Sequence, residues 1–139
     1  MQYREYINER VHSLYWKEDL NCAITSLLIF SEIFKIDLDL QILDAAIGMP
    51  GAGRYGAQCG LVTGSLMFIG IKGKENGLEH EAIVDKCHNF AKDFEKEFGS
   101  LNCRDLRPEG FKPDNPPHLC EEITKRAIMF TLNILAAKI

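Results

Sequence analysis

From Gly48 the chain reads GMPGAGRYGAQCGLVTG to Gly64 and continues as SLMFIGIKG to Gly73. A glycine-dense, nearly uncharged loop thus leads into an apolar segment, and Cys59 lies at the junction. Glycine adopts backbone conformations that are closed to other residues and lets neighbouring groups approach closely. We therefore expect the loop to hold Cys59 near another part of the chain, and the other cysteines are the expected neighbours.

The apolar segment 61–71 fits a buried helix or a buried strand by periodicity alone. We predict a helix because the neighbouring segments have helical period, and because Gly60 and Gly64 would give a helix a flat strip for close packing against another helix. A helix that begins near Gly60 places Cys59 at its N-terminus. The helix is expected to end at the glycines that follow, Gly70, Gly73 and Gly77.

Apolar residues at spacings of three and four predict further helices. The predicted segments are residues 2–16, 22–34, 39–47, 79–98, a short turn around 101–106, and a last helix that opens at His118. Between 108 and 117, four prolines and one glycine predict an extended surface loop. We therefore expect an all-α fold over residues 1–139, a compact single-domain bundle of about five to six helices with a glycine-rich loop.

The composition limits the functional classes. With 139 residues, 46% of them hydrophobic, the chain is long enough for one core and too short for two comfortable domains. The net charge is −4 and the basic residues are scattered among acids, so we expect no nucleic-acid partner. The N-terminus lacks a signal-like apolar core, and no apolar run approaches the roughly 20 residues that span a bilayer. We expect no membrane span and a cytoplasmic location.

Five cysteines are many for such a chain, namely Cys22, Cys59, Cys87, Cys103 and Cys120. In a reducing compartment, cysteines more often serve metal or redox chemistry than structural crosslinks. No two of them form a Cys-x-x-Cys pair, so any site must be assembled by the fold. Cys87 falls in the apolar stripe of the predicted helix 79–98, and we predict that it is a core residue outside the site.

Three of the remaining cysteines, Cys22, Cys59 and Cys120, fall at predicted helix starts. Backbone N–H groups and the helix dipole favour a thiolate or an anionic metal–sulfur centre at such positions. Cys103 follows Ser100, a predicted helix cap, by three residues. Arg104 and Arg107 lie close to Cys103 in the sequence, and cationic neighbours lower the pKa of a thiol.

Other motifs argue against two common functions. Residues 51–56 match the dinucleotide-binding pattern Gly-x-Gly-x-x-Gly, but a predicted helix precedes them and no acidic residue closes a second strand about 20 residues later. We therefore do not expect nucleotide binding. No Ser-His-Asp arrangement, His-Glu-x-x-His or Walker-type loop is present in the sequence, which argues against a hydrolase.

The cysteines and glycines together resemble a known family. The motifs are Asn21-Cys22-Ala23, the glycines at 51, 53, 56, 60 and 64 around Cys59, Phe98-Gly99-Ser100 followed by Cys103-Arg104, and Cys120 before a C-terminal helix. They are similar to the redox-active proteins named C_GCAxxG_C_C after their cysteine pattern, over about residue 20 to the end. Leu61 stands where the family's motif often has alanine, a departure that removes no thiol. The resemblance implies a redox role for Cys22, Cys59, Cys103 and Cys120.

Several functions remain open for these four cysteines. The first is a metal centre for electron transfer, an iron–sulfur cluster above all, with Gly56 and Gly60 giving its sulfides room. The second is thiol–disulfide chemistry without a cofactor, in which Cys59 reacts and Cys22 or Cys103 resolves the mixed disulfide. The third is structural zinc with His118 as a further ligand. The fourth is a helical partner-binding domain whose cysteines are only core residues.

In the redox hypotheses the four cysteines are both the candidate catalytic residues and the candidate metal ligands. The chain would then be an oxidoreductase or an electron-transfer protein. Its expected partner is a redox partner protein, an oxidoreductase or a transport system. The sequence does not specify the oligomeric state.

Overall fold

Helices make up most of the computed structural model, which describes residues 3–107, 112 and 114–138, without the side chains of the last two. In chain order the elements are α1 (Arg4–Trp16), α2 (Cys22–Phe34), α3 (Leu40–Ala45), α4 (Gly51–Arg54), α5 (Gly60–Glu75), α6 (His80–Phe98), α7 (Cys103–Leu106), a 3-10 turn (Pro117–Cys120) and α8 (Glu121–Lys138). Five helices have 13 or more residues. The described residues contain no β-strand, so the predicted all-α class is confirmed.

Local capping explains where two of the long helices begin and end. The Asn21 side chain accepts a hydrogen bond of 2.8 Å from the Ile24 N–H and so caps the start of α2, as its position before the apolar run predicts. α6 ends at Phe98, and Gly99 just past it has a left-handed φ of 92°. Glycine just past a helix end relieves the crowding that a side chain would meet in this conformation.

α5 is the central helix of the bundle, because it packs against α2, α6 and α8. A methyl group added at Gly64 would lie 2.9 Å from the Ala23 carbonyl oxygen, so the predicted close contact between two helices is confirmed. The prediction that Gly70 and Gly73 end the helix is wrong, since α5 continues to Glu75. The helix gains tertiary packing there that offsets the low helix propensity of glycine.

α1 packs along α8 and completes the core on that side of the bundle. The side chains of Ile7, Val11 and Leu14 on α1 are buried. A hydrogen bond of 2.6 Å joins the buried hydroxyl groups of Tyr15 and Thr124. This bond satisfies two polar groups that would otherwise be costly to bury.

The last helix begins later than the sequence predicts. The segment from His118 to Cys120 belongs to the 3-10 turn, and α8 starts at Glu121. Short 3-10 turns are common at helix N-termini. The His118 ring stacks on the Trp16 indole with ring centroids 3.9 Å apart, which fixes this turn against the end of α1.

Two further expectations concern the loop and the membrane. Half of the predicted loop between 108 and 117, residues 108–111 and 113, lies outside the described residues. Within the part of the chain that the structure describes, no helix combines the length and the apolar composition needed to cross a bilayer.

Candidate thiol site

The loop before Cys59 contains an unusual turn, in which Gly51, Ala52, Gly53 and Arg54 have φ angles of 64°, 55°, 71° and 61°. The turn is closed by a hydrogen bond of 2.9 Å from the Tyr55 N–H to the Gly51 carbonyl oxygen. A left-handed conformation costs a residue with a side chain about 1–2 kcal/mol. Glycine at two of the four positions removes this cost there, which explains part of the glycine pattern without any bound nucleotide.

The loop is paired with the segment that carries Cys103. The Cys59 N–H donates to the Leu101 carbonyl oxygen at 2.8 Å, and the Cys103 N–H donates to the Ala57 carbonyl oxygen at 2.7 Å. These two backbone hydrogen bonds hold cysteines that are 44 positions apart (103 − 59) on neighbouring segments. The glycine loop therefore brings Cys59 close to another cysteine-bearing part of the chain.

The two glycines that were expected to make room for a cofactor both have packing contacts. A methyl group added at Gly60 would lie 2.4 Å from the Cys22 sulfur, so Gly60 allows α5 to approach the start of α2. A methyl group at Gly56, where φ is 94°, would lie 2.9 Å from the Arg104 Nε atom. Each glycine thus makes room for a side chain of this protein.

Four cysteines border one cavity of about 70 Å³, which we call the thiol cavity. Cys22 is the first residue of α2, Cys59 precedes α5, Cys103 is the first residue of α7, and Cys120 ends the 3-10 turn. The lining residues are Asn21, Cys22, Pro50, Arg54, Cys59, Leu61, Cys103, Leu106, Arg107, Asn115, Pro117, Cys120 and Ile123. Arg54 is the exposed residue among those that line the cavity.

All five cysteines are free thiols, and two of those at the thiol cavity, Cys22 and Cys59, strongly affect each other's pKa. The neighbouring Cys59 thiol and burial raise the pKa of Cys22 well above its ordinary value. The neighbouring Cys22 thiol, the backbone N–H groups at the start of α5 and the charge of Arg107 lower the pKa of Cys59 against the opposing effect of burial. Cys59 is therefore the more acidic thiol of the two.

The other two cysteines of the thiol cavity differ in their surroundings. Burial raises the pKa of Cys120 to about 11, despite the opposing charge of Arg107. Cys103 and Arg107 line the same cavity. Burial lowers the pKa of Arg107, but the neighbouring cysteines, Cys103 first among them, raise it above its ordinary value.

Cys87 and His118 do not line the thiol cavity in the described structure. Cys87 packs against the core, as its place in the apolar stripe predicts, although it remains partly exposed. Its thiol lies 3.9 Å from the Leu66 carbonyl oxygen, and burial raises its pKa. His118 stacks on Trp16, so the residue considered as an extra zinc ligand contacts an indole ring.

Four thiols are a donor set that suits iron–sulfur clusters and zinc. The positions of these thiols suit a metal less well than their chemical type does. Over residues 3–107, 112 and 114–138, no three side chains of cysteine, histidine, aspartate or glutamate are arranged so that they could hold a metal ion. A metal would therefore require the sulfurs to move from the positions described here.

Sequence analysis missed two features of this site. It left open whether Cys22 or Cys103 is the closer partner of Cys59, because that choice depends on the packing of α2 against α5. It identified Arg107 only as a cation near Cys103 in the sequence. The fold places the Arg107 side chain on the wall of the thiol cavity, beside cysteines from three other segments.

The fold and the cavity define a helical protein in which thiols from four separate segments line one cavity. A family described as "Putative redox-active protein (C_GCAxxG_C_C)" matches residues 20–134, and the chain belongs to this family. A protein of Archaeoglobus fulgidus described as "Uncharacterized protein" is 31% identical over 130 residues, which cover 85% of this chain and 86% of the relative. No solved structure matches the chain. The resemblance noted from the motifs is thereby confirmed.

Proposed function

We propose that this protein carries out thiol–disulfide exchange, with Cys59 as the reacting thiol and Cys22 as the resolving thiol. The observation that carries the proposal is the meeting of two helix starts, which places Cys22 and Cys59 on one cavity with the Cys22 sulfur against Gly60, the residue after Cys59. Each of these thiols is also the largest influence on the pKa of the other, which supports their acting as a pair. Membership of a family described as redox-active supports the same class of chemistry.

The lowered pKa of Cys59 supports its role as the nucleophile, because the thiolate is the form that attacks a disulfide. In the first step the Cys59 thiolate attacks one sulfur of a substrate disulfide. A mixed disulfide forms, the substrate S–S bond breaks, and one substrate thiolate leaves.

In the second step the Cys22 sulfur attacks the Cys59 sulfur of the mixed disulfide. The Cys22–Cys59 bond forms, and the second substrate sulfur leaves and takes up the Cys22 proton. The protein loses two electrons and the substrate disulfide gains them. The reverse sequence transfers a disulfide from the protein to a reduced partner.

An iron–sulfur cluster for one-electron transfer is a second candidate. It is favoured by the four cysteine side chains on one cavity wall, since such clusters are held by cysteine thiolates. Cys22, Cys59, Cys103 and Cys120 would supply those thiolates. Bound there, a cluster would supply a one-electron couple that the thiols alone lack.

Protein purified without oxygen distinguishes the two candidates. Iron, sulfide and zinc are quantified, the visible spectrum is recorded, and free thiols are counted before and after addition of oxidised glutathione. Thiol–disulfide exchange predicts colourless, metal-free protein that reversibly loses two of its five thiols. Stoichiometric iron and sulfide with charge-transfer bands would instead support the cluster, and stoichiometric zinc would support a structural metal.

A further inference from the structure

The Arg107 guanidinium presents hydrogen-bond donors that the described protein does not use. Its Nε and Nη1 atoms are buried, and neither has a hydrogen-bond partner among the described residues. Leaving a buried polar group unsatisfied costs about 1–3 kcal/mol, and more when the group is charged. Such donors on the wall of a reactive cavity are suited to a negatively charged group of a bound molecule.

The charges of the residues that line the thiol cavity also favour a negatively charged ligand. Its described lining includes two arginines, Arg54 and Arg107, and no aspartate or glutamate. The whole chain has a net charge of −4, so the cavity is locally positive on a protein that is negative overall. A cleft lined by one sign of charge concentrates molecules of the opposite sign.

We propose that the thiol cavity selects disulfide substrates that carry negative charge near the sulfur atoms, and that Arg107 binds this charge. The inference rests on the proposed thiol–disulfide exchange and names its substrate class. Arg107 also lies beside Cys103 and near Cys59, so it would face the substrate thiolate that leaves when Cys59 attacks. Arg107 therefore acts on the substrate charge in both the bound disulfide and the departing thiolate.

Three small disulfides of different charge test the inference. They are 3,3′-dithiodipropionate, which is negative, bis(2-hydroxyethyl) disulfide, which is neutral, and cystamine, which is positive. The rate of thiol loss from reduced protein is measured with each and divided by the rate of the same disulfide with 2-mercaptoethanol. This correction removes differences in the intrinsic reactivity of the three disulfides. Wild-type protein is expected to prefer the negative disulfide.

Arg107→Gln is expected to lower the ratio of the negative to the neutral rate by about tenfold, the effect of losing one charge-assisted hydrogen bond. The neutral disulfide reports any change in Cys59 ionisation, which affects all three rates equally. Arg126→Gln is the matched control, because Arg126 is an exposed arginine on α8 and should leave the ratio unchanged. Arg107→Lys keeps the charge and should give an intermediate ratio.

An unchanged ratio in folded Arg107→Gln would overturn the inference while leaving the proposed exchange intact. Failure of the wild-type protein to react with any of the three disulfides would instead reject the proposed function. The wild-type preference should also fall as salt is added, since screening weakens the attraction. A wild-type protein without charge preference at low salt would contradict the inference even if the variants do not fold.

Discussion

Gly60 and Gly64 at the start of α5 differ in their surroundings from Gly70, further along the same helix. At the start of the helix, methyl groups at Gly60 and Gly64 would lie 2.4 Å from the Cys22 sulfur and 2.9 Å from the Ala23 carbonyl oxygen. At Gly70 no atom lies within 4 Å of the corresponding position. Glycine therefore serves close helix packing at the end of α5 that borders the thiol cavity, and at Gly70 it serves no such contact.

This difference explains how cysteines that are far apart in the sequence come to lie at adjoining helix starts. Cys22 and Cys59 each stand at the start of a helix, and the two helix starts meet because Gly60 has no side chain. The site is thus set by the separation of two backbones. The following predictions test that relation between close packing and thiol chemistry.

The largest effect is expected from Cys59→Ser. Without the ionised thiol, the rate of reaction with oxidised glutathione should fall by about 100-fold or more, since the nucleophile is lost. Cys87→Ser is the matched control, because Cys87 packs against the core outside the thiol cavity, and its rate should match that of the wild type. Thiol loss followed with time measures both rates. Equal rates for Cys59→Ser and the wild type would show that another cysteine is the nucleophile.

The second effect concerns the contact between the start of α5 and the start of α2. Gly60→Ala forces a methyl group against the Cys22 sulfur and should destabilise the fold by about 1–3 kcal/mol, as overpacking does. Gly70→Ala meets nothing within 4 Å and should stabilise α5 by about 1 kcal/mol, because alanine is the better helix former. Urea unfolding measures both free energies. Effects of the same sign and size would mean that the two parts of α5 do not differ as described.

The smallest effect concerns the start of α8, next to Cys120. Burial opposes ionisation of Glu121, but hydrogen bonds from Lys125, Trp16 and His12 outweigh it and lower the pKa of Glu121 from 4.5 to about 2. A carboxyl group whose pKa is lower in the folded state stabilises the fold at pH values above its pKa in the unfolded state. That stability is lost as the pH falls from about 4.5 towards 2.

Glu121→Gln should therefore lower the free energy of unfolding by about 1 kcal/mol at neutral pH. This value is smaller than the pKa shift alone would give, because part of the hydrogen-bond network is exposed to water. The difference in stability between Glu121→Gln and the wild type should shrink as the pH falls from 5 to 2.5. Thermal unfolding across this range measures the effect. A difference that stays constant with pH would show that the carboxylate charge makes no contribution.

The sequence predicted the helices and the placement of Cys22 and Cys59 at helix starts, because apolar periodicity and capping residues are local signals. It also predicted that Gly60 and Gly64 form a packing strip, since their spacing of four places them on one face. It could not predict that α5 passes through Gly70 and Gly73. Glycine weakens a helix locally, and only tertiary packing decides whether the helix continues.

Two features of the site depend on contacts between segments far apart in the sequence. Cys22 is the cysteine with the largest effect on the pKa of Cys59 because α2 meets α5, although Cys103 is also held close by the paired loop. The burial of two Arg107 nitrogens follows from the closure of the cavity around them. Neither contact leaves a pattern in the local sequence.

Disulfide mapping of the wild-type protein tests the central claim most directly. Reduced, metal-free protein is equilibrated in glutathione buffers of increasing oxidation, its remaining thiols are alkylated, and its peptides are identified by mass spectrometry. The account predicts one reversible disulfide that joins Cys22 to Cys59, with Cys87, Cys103 and Cys120 still alkylated. Oxidation that joins other cysteines while Cys22 and Cys59 remain reduced would contradict it.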